Sequence, residues 1–341
     1  MPNPGSASRH GLTPPVRWGF VGTGNIASWM AGVLGATPAA RLCAVASRDM
    51  SRAQEFAGQH GAELAFDHWR DMIAWEDLDA IYVATPTSLR EEISIAAAQA
   101  GKHVLGEKPF ASLASLERIT GACRQNGVGF MDATHFVHHP RHSSIRNGFG
   151  QMIGRPRALH TRFCINLTDR NDIRYDPALE PLGAIGDLGW YNMRAMIEYL
   201  SSAGPVTEVR THLTRDDQTG VLLAGEGSLT FGNSSVSSWQ CSFKSSVVDI
   251  GLELEGSAGH LHMDNFIGED ADHAASYQYR PRGRPVGAET TTRVDSTASG
   301  PAMMFADFAA LTVDPTLREQ WMKASERTQA LLDSVLEAAG A

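Results

Sequence analysis

A glycine-rich turn near the amino terminus offers the first recognisable chemistry in this chain of 341 residues. The short apolar run 18–21 leads directly into Gly22-Thr23-Gly24-Asn25-Ile26, and a helical pattern begins at Ala27. In such a strand, turn and helix, the first glycine permits the tight turn and the second lets the backbone approach a pyrophosphate, while the small third residue allows close helix packing. The turn therefore predicts a dinucleotide site in which these five residues contact the cofactor.

A second pattern, at the end of the next apolar run, bears on which dinucleotide is bound. An enzyme that uses NAD usually places Asp or Glu there, against the ribose 2′-hydroxyl, whereas this chain has Ser47 and Arg48, with Arg52 one helical turn later. A hydroxyl and guanidinium groups would hold a 2′-phosphate by charge-assisted hydrogen bonds. We therefore expect NADP(H), with NAD(H) disfavoured. The alternatives are that Asp49 turns inward to the ribose, or that Arg48 belongs to a solvated surface.

Two further stretches follow predicted strands at the sheet edge where ligands of open α/β sheets collect. Thr85-Pro86 follows the fourth strand and could line the nicotinamide-ribose channel, although Thr-Pro is also ordinary chemistry for a helix start. Gly106-Glu107-Lys108-Pro109 follows the fifth strand. This position predicts that Glu107 and Lys108 border the cofactor, with the lysine ammonium beside the nicotinamide.

These motifs, taken together, resemble those of the Gfo/Idh/MocA oxidoreductases. The resemblance rests on the glycine turn, on Thr85-Pro86, on the run 100–104 leading into 107–109, and on the later stretch 183–191, which reads GAIGDLGWY. It extends over nearly everything from Arg17 to the end of the chain. It implies a Rossmann domain followed by an α+β substrate domain, and an NAD(P)-dependent oxidoreductase that acts on CH–OH groups.

The resemblance also implies three catalytic residues. Lys108 would contact the substrate oxygen, Tyr191 would take the place of the Tyr or His that relays the proton, and Asp187 would help to orient the substrate. The residue types suit the chemistry, because hydride transfer to a carbonyl leaves an alkoxide that needs a fixed cation and a proton donor. Asp187 and Tyr191, four residues apart, would share a helix face. Lys108 is expected to bring the pKa of Tyr191 nearer working pH. Taken singly, Asp187 could instead be a helix N-cap, and Tyr191 a buried ring.

Two residues depart from the family pattern. Arg90 stands where members often have His, and Gly106 stands where Cys or Ala is common. Either residue is expected to reshape the pocket near the nicotinamide.

Four histidines, 135, 138, 139 and 142, lie close together near the predicted domain junction. No Asp, Glu or Cys lies among them and Pro140 interrupts a regular helix, so we expect no metal site. A similar run occurs in family members that act on sugar ketones, which makes His138 and His139 candidate substrate-binding residues; the alternative is that they are polar junction residues. Arg174 could bind substrate hydroxyls together with Asp187 and Tyr191.

Composition narrows the class of protein. The formal charge of −9 comes without a basic stripe, which argues against nucleic acid as a partner. The four cysteines are far apart, as expected of reduced thiols. No apolar run approaches the ~20 residues of a membrane span, and the amino-terminal stretch lacks the apolar core of a signal peptide. We therefore expect a cytoplasmic protein with no membrane association.

The hydrophobic patterns predict an α/β protein with two domains after a disordered leader at 1–16. Alternating short apolar runs and helical segments indicate a doubly wound parallel Rossmann sheet in residues 17–133, with strands at 18–21, 42–46, 64–66, 80–84, 103–105 and 127–131. Residues 134–341 are expected to form an α+β domain for substrate binding and oligomerisation, with a mainly antiparallel, open-faced sheet. Its predicted strands are 158–166, 225–231, 235–243 and 248–255, and its predicted helices are 184–200 and 317–338.

The sequence thus favours hydride transfer between NADP(H) and a carbonyl or secondary alcohol of a sugar-like, polyhydroxylated small molecule, for example a keto-sugar. Two alternatives remain open: a tightly bound NAD(P) used for transient oxidation during elimination or hydrolysis, and a non-catalytic protein that senses the cofactor. An open-faced sheet also predicts a homodimer or homotetramer, because another subunit would cover that face.

Overall fold

The computed structural model describes residues 15–340. Most of the predicted leader lies outside the described residues, and Val16 is already the first residue of a strand. The strands are β1 Val16–Val21, β2 Ala40–Ala46, β3 Leu64–Phe66, β4 Ala80–Val83, β5 His103–Gly106, β6 Phe130–Asp132, β7 Pro156–Asn166, β8 Val206–Arg215, β9 Leu222–Phe231, β10 Val236–Ser242, β11 Lys244–Asp249, β12 Leu252–Gly256, β13 Gly259–Met263, β14 Ala275–Pro281 and β15 Thr290–Val294.

Helices pack against both sheets. They are α1 Asn25–Gly35, α2 Met50–His60, α3 Trp69–Ala74, α4 Thr87–Gln99, α5 Leu113–Gln125, α6 Pro140–Met152, α7 Gly183–Asp187, α8 Gly189–Tyr199, α9 Gly300–Val313 and α10 Pro315–Ala338. Local chemistry explains many of their ends. Asp314 accepts hydrogen bonds from the first turn of α10, whose first residue is Pro315, and Gly61 ends α2 in the left-handed conformation at φ 75°.

The first sheet is parallel, with strand order β3-β2-β1-β4-β5-β6. This is the order of a doubly wound dinucleotide-binding fold, in which β2 and β3 are added on one side of β1, and β4, β5 and β6 are added on the other. All six strands predicted from the sequence are present, with ends displaced by a few residues. The predicted α/β class with a Rossmann sheet is confirmed.

The second sheet has nine strands in the order β15-β14-β13-β12-β7-β10-β9-β8, and β11 also pairs with β7. It is mainly antiparallel as predicted, but β7 and β10 run parallel in its centre. The predicted strand 248–255 is wrong as a single element. Its residues belong to β11 and β12, which are separated at Ile250 and Gly251 and pair with different parts of β7.

Helices from the carboxyl-terminal part of the chain pack back onto the Rossmann sheet. Phe305 and Phe308 of α9 lie 5.2 and 4.6 Å from the ring of Trp18 in β1, measured between centroids. On α10, the Gln329 side chain accepts a hydrogen bond from the backbone N–H of Phe110 at 3.1 Å. The helices α9 and α10, which follow the second sheet in sequence, therefore contact β1 and the turn after β5. The domain bounds 17–133 and 134–341 stay a prediction.

Among the helices of residues 15–340, none combines the length and the apolar character required to cross a bilayer. The cytoplasmic location stays a prediction.

Candidate active site

The glycine turn has the geometry that a dinucleotide requires. Gly22 has φ +113°, and a Cβ atom there would lie 2.5 Å from the carbonyl oxygen of Ala84, so only glycine fits. Gly24 is the N-cap of α1, so no side chain caps this helix. A Cβ on Gly24 would meet no protein atom within 4 Å. Ala27 is fully buried. The turn thus leaves the positive end of α1 open toward a region that can receive phosphates.

The end of β2 offers a hydroxyl and two cations beside this turn. Thr23 Oγ1 donates to Ser47 Oγ at 3.3 Å, and Arg48 and Arg52 are both exposed. Asp49 accepts hydrogen bonds from the backbone of its own helix α2, with 2.8 Å from Ser51 N to its Oδ1. The alternative in which Asp49 turns to the ribose disagrees with this geometry. The arrangement suits a 2′-phosphate better than a 2′-hydroxyl.

Three of the residues predicted to contact the cofactor, Thr85, Pro86 and Glu107, lie beyond the ends of β4 and β5. Pro86 is the N-cap of α4, and the Oγ1 atom of Thr85 is buried without a hydrogen-bond partner among the described residues, so that it can accept or donate to a ligand. Glu107 is turned into the protein, where its carboxylate accepts the Tyr82 hydroxyl at 2.5 Å and burial raises its pKa. That contact gives no support to the predicted contact of Glu107 with the cofactor.

Lys108, Asp187 and Arg174 come together although they are far apart in sequence. The Lys108 ammonium donates to Asp187 Oδ1 at 2.6 Å and to the Asp187 carbonyl at 2.8 Å. Arg174 Nε donates to the other carboxylate oxygen at 2.6 Å. Although burial opposes ionisation, these two cations hold the pKa of Asp187 well below its usual range. The result is a carboxylate that fixes one ammonium and one guanidinium at the sheet edge.

Tyr191 lies beside this cluster, with the Lys108 Nζ atom 4.9 Å from the centre of its ring. Asp187 is the last residue of α7 and Tyr191 is in the first turn of α8, so the predicted single helix is interrupted at Leu188. Burial, reinforced by the charges of Glu107 and Asp187, raises the pKa of Tyr191 well above 10. The expectation that Lys108 lowers this pKa is therefore wrong. The ammonium faces the ring and is neutralised by Asp187, so the phenol stays protonated.

His138 and His139 are held in structural contacts. His138 stacks on Trp321 with ring centres 4.6 Å apart and donates from Nδ1 to Asp307 at 2.6 Å. His139 is the N-cap of α6 and donates from Nε2 to the carbonyl of His273 at 2.8 Å. These bonds join the junction to α9, α10 and the segment before β14, whereas the Nε2 atom of His138 is buried without a hydrogen-bond partner among the described residues. The substrate-binding role of His138 and His139 stays a prediction.

His142 is likewise engaged, with Nε2 3.1 Å from Glu198 and Nδ1 3.2 Å from the Tyr199 hydroxyl. Over residues 15–340, no cluster of three or more His, Cys, Asp or Glu side chains is placed to bind a metal ion.

The remaining member of the cluster, His135, is the one that reaches the site. Its ring lies edge-on to Tyr191 at 6.1 Å and to the half-exposed Trp29 of α1 at 5.7 Å. Burial, together with the Lys108 charge, lowers the pKa of His135 to about 4, so the ring is neutral at physiological pH. The sequence contained a signal for this position, because His135 closely follows β6 at the same carboxyl edge as Lys108.

Gly106 has a packing explanation. A Cβ on this residue would lie 3.3 Å from the rings of Phe110 and Phe130, so glycine lets these aromatic side chains close beneath the Lys108 turn.

Comparison with known proteins agrees with this geometry. Residues 16–133 match the model of the GFO_IDH_MocA oxidoreductase family with its NAD-binding Rossmann fold, and residues 150–262 match the GFO/IDH/MocA C-terminal domain. The chain is 30% identical over 268 residues, 77% of each protein, to the dTDP-3,4-didehydro-2,6-dideoxy-alpha-D-glucose 3-reductase of Actinomadura kijaniata. It is 29% identical to the D-xylose 1-dehydrogenase (NADP(+)) 2 of Haloferax volcanii, over 82% of this chain and 85% of that protein.

Among solved structures, the 3-ketoreductase KijD10 from Actinomadura kijaniata, in complex with NADP and TDP-benzene, superposes with a TM-score of 0.85. The match covers 95% of this chain and 98% of KijD10, at 26% identity. The matched domains, the identity over most of the chain and the shared architecture establish that this protein belongs to the Gfo/Idh/MocA family of oxidoreductases.

Proposed function

We propose that this protein transfers a hydride between NADP(H) and a carbonyl or secondary alcohol of a sugar-like substrate. The observation that carries the proposal is the cluster at the carboxyl edge of β5, where Asp187 holds the Lys108 ammonium 4.9 Å from the centre of the Tyr191 ring. A fixed cation beside a protonated phenol is what a carbonyl oxygen requires as it becomes an alkoxide and then an alcohol.

In the reductive direction, Lys108, Tyr191 and Asp187 have separate roles. When bound, NADPH supplies the hydride that forms the new C–H bond. Lys108 stabilises the negative charge on the substrate oxygen, and Tyr191 donates the proton that completes the O–H bond. Because burial keeps Tyr191 protonated at neutral pH, the chain is prepared for reduction. Asp187 stays ionised, which holds the ammonium in place and prevents repulsion between Lys108 and Arg174.

The substrate class follows from the polar groups at the cleft and from the relatives. Arg174, held on Asp187, and neutral His135 can hydrogen-bond hydroxyl groups. The relatives named above act on a dTDP-linked keto-sugar and on D-xylose, by their names. A polyhydroxylated substrate, free or linked to a nucleotide, is therefore the class to screen.

Cofactor preference is the first test. NADPH and NADH are titrated into the full-length protein while nicotinamide fluorescence is recorded, and Arg48→Asp is compared with wild type. A hydrogen bond to a charged group contributes about 1.5–3 kcal/mol, so the variant should lose at least about tenfold in NADPH affinity while NADH affinity holds. Arg155→Asp makes the same charge reversal at an exposed bend of the second domain and should change neither affinity. If wild type prefers NADH, or if Arg48→Asp keeps its preference for NADPH, the assignment of Ser47 and Arg48 to the 2′-phosphate fails.

Net consumption of NADPH separates the proposed reduction from its alternatives. One mole of NADPH oxidised per mole of keto-sugar reduced supports the proposal. Product formation without net change in NADPH would indicate transient oxidation in elimination or hydrolysis. Tight cofactor binding with no turnover across the sugar screen, in wild type as in Lys108→Ala, would indicate a cofactor sensor.

A second copy of this chain is the partner we propose for the exposed face of the nine-stranded sheet. α8 packs against β7 and β10 on one face, while His160, Arg210, His212 and Glu226 line a polar groove on the other. Light scattering should give a mass of two or four times 36.8 kDa. A mass of one chain at micromolar concentration would contradict this proposal.

A further inference from the structure

Arg90, the residue that departs from the family pattern, is buried at the edge of the Rossmann sheet. Its Nε donates to the Thr85 carbonyl at 2.9 Å, and its Nη1 donates to Thr87 Oγ1 at 2.7 Å and to the Pro109 carbonyl at 2.5 Å. The side chain is only 8% exposed. One guanidinium thus joins the turn after β4 to the turn after β5, directly beside Lys108.

Glu180 approaches the same point from the second part of the chain. It lies between Tyr175 and α7, and its carboxylate accepts from the Thr87 backbone at 3.1 Å and from Thr87 Oγ1 at 2.5 Å. Its Oε1 is 3.5 Å from Arg90 Nη2, and its side chain is 12% exposed. Since no side chain of its own segment caps α4, Glu180 supplies the negative charge at this helix start from 93 residues away.

We propose that Arg90 and Glu180 form a clamp that positions Lys108 against Asp187. This proposal rests on the proposed function. The segment that carries Glu180 also carries Arg174 and Asp187, while the turns bound by Arg90 carry Thr85 and Lys108. The clamp therefore sets the distance between the two halves of the site, and it does so without touching the reacting atoms.

The residue types explain why the clamp needs arginine. A guanidinium presents five N–H donors in a fixed plane, so it can reach three acceptors and a carboxylate at once, whereas an imidazole has at most two donors. The His that is common in the family at this position therefore cannot make the set of bonds seen here. Removing Glu180 would leave a buried cation close to Lys108 without its counter-ion.

Hydrogen exchange of the full-length protein tests the clamp directly. Arg90→Lys removes the planar guanidinium and Glu180→Gln removes the negative charge, both with little change in size, and amide exchange is followed in segments 106–110 and 174–187. We expect both variants to accelerate exchange in both segments by at least about fivefold, because Arg90→Lys loses the planar set of donors and Glu180→Gln loses the counter-ion of Arg90. The control is Arg118→Lys with Glu91→Gln, a more exposed ion pair that joins α4 to α5, and it should leave both segments unchanged. Unchanged exchange in the clamp variants would overturn the proposal whether or not the enzyme turns over.

Steady-state kinetics tests whether the clamp affects catalysis. On a substrate that wild type reduces, Arg90→Lys and Glu180→Gln should lower kcat at least about tenfold while the Kd for NADPH changes by less than about twofold. The double variant should have a kcat no lower than that of the less active single variant, because both substitutions disrupt the same interaction. A lower thermal midpoint with an unchanged kcat would show a purely structural pair and would refute the clamp. A wild type that reduces no substrate would instead count against the proposed function.

Discussion

The charge of Asp187 can be tested by replacing it with a neutral amide of the same shape. In Asp187→Asn, Lys108 and Arg174 lose the anion that each contacts at 2.6 Å. The Lys108 side chain, which is 8% exposed, is left without a counter-ion, whereas the half-exposed Arg174 keeps Asp172. Removing one partner of a buried ion pair costs about 3–5 kcal/mol. Because the Asp187 side chain is 19% exposed, we expect the lower end, about 3 kcal/mol. With an unfolding entropy of about 2.1 cal/mol/K per residue, the thermal midpoint should fall by about 4 °C.

The assay is thermal unfolding of the cofactor-free protein, and the chain offers a matched control. Asp172 contacts Arg174 at 3.2 Å but does not contact Lys108, and an asparagine at 172 keeps the acceptor that caps the Arg174 backbone. Asp172→Asn should therefore cost less than about 1 kcal/mol. If Asp187→Asn is as stable as Asp172→Asn, the carboxylate does not neutralise the two cations and the reasoning is refuted.

The pH dependence gives a second check on the same variant. The pKa of Asp187 is lowered in the folded protein, so its ionised form stabilises the fold above its unfolded pKa, and that contribution is lost as pH falls. The difference in stability between wild type and Asp187→Asn should therefore be constant from about pH 5 to 9 and should shrink below about pH 4. A difference that grows in acid would have the wrong sign for a depressed carboxyl pKa.

Three further predictions concern the glycine turn, Tyr191 and His103 at the start of β5. Gly22→Ala should destabilise the cofactor-free fold by about 1–3 kcal/mol, because of the positive φ at this residue and the contact of the new Cβ with Ala84. Gly24→Ala should leave the thermal midpoint unchanged and weaken NADPH binding. Equal thermal midpoints for the two variants would contradict this. Tyr191→Phe removes only the hydroxyl and should lower kcat about 10²–10⁴-fold with the NADPH Kd preserved; an unchanged kcat would exclude Tyr191 as the proton donor. The pKa of His103 is lowered to about 4, mainly by burial, so between about pH 6.5 and 4 the unfolded chain binds a proton at this residue that the folded chain does not. As the pH falls through this range, the free energy of unfolding should therefore decrease by up to about 1.4 kcal/mol per pH unit. Urea titrations should show a flatter slope for His103→Asn than for wild type.

Local patterns were enough to predict much of this protein. Short apolar runs between helical segments located all six Rossmann strands, because a parallel strand that is buried on both faces is apolar along its whole length. The glycine turn could be read directly, since its conformation depends on adjacent residues and on Gly22 in particular. Lys108, Asp187 and Tyr191 were found through their motifs, and the structure brings them together.

Other features depend on contacts between distant segments, so no local pattern reveals them. The strands β13 to β15 were not predicted because they are short and only partly apolar. The break between β11 and β12 was missed because the pairing of each strand with β7 decides its register. Likewise, α9 follows the second sheet in sequence but packs on Trp18 of the first.

The chemistry of the site divides in the same way. The sequence by itself determined which functional groups are available: an open helix start, a hydroxyl and two guanidiniums after β2, and a lysine after β5. Only the tertiary structure decided how they act. The pKa of Tyr191 moves upward because burial and carboxylates from several elements outweigh one nearby ammonium, and Arg90 meets Glu180 because folding joins residues 90 positions apart. Electrostatic free energies depend on distance and burial in three dimensions, and a sequence lists the charges without either.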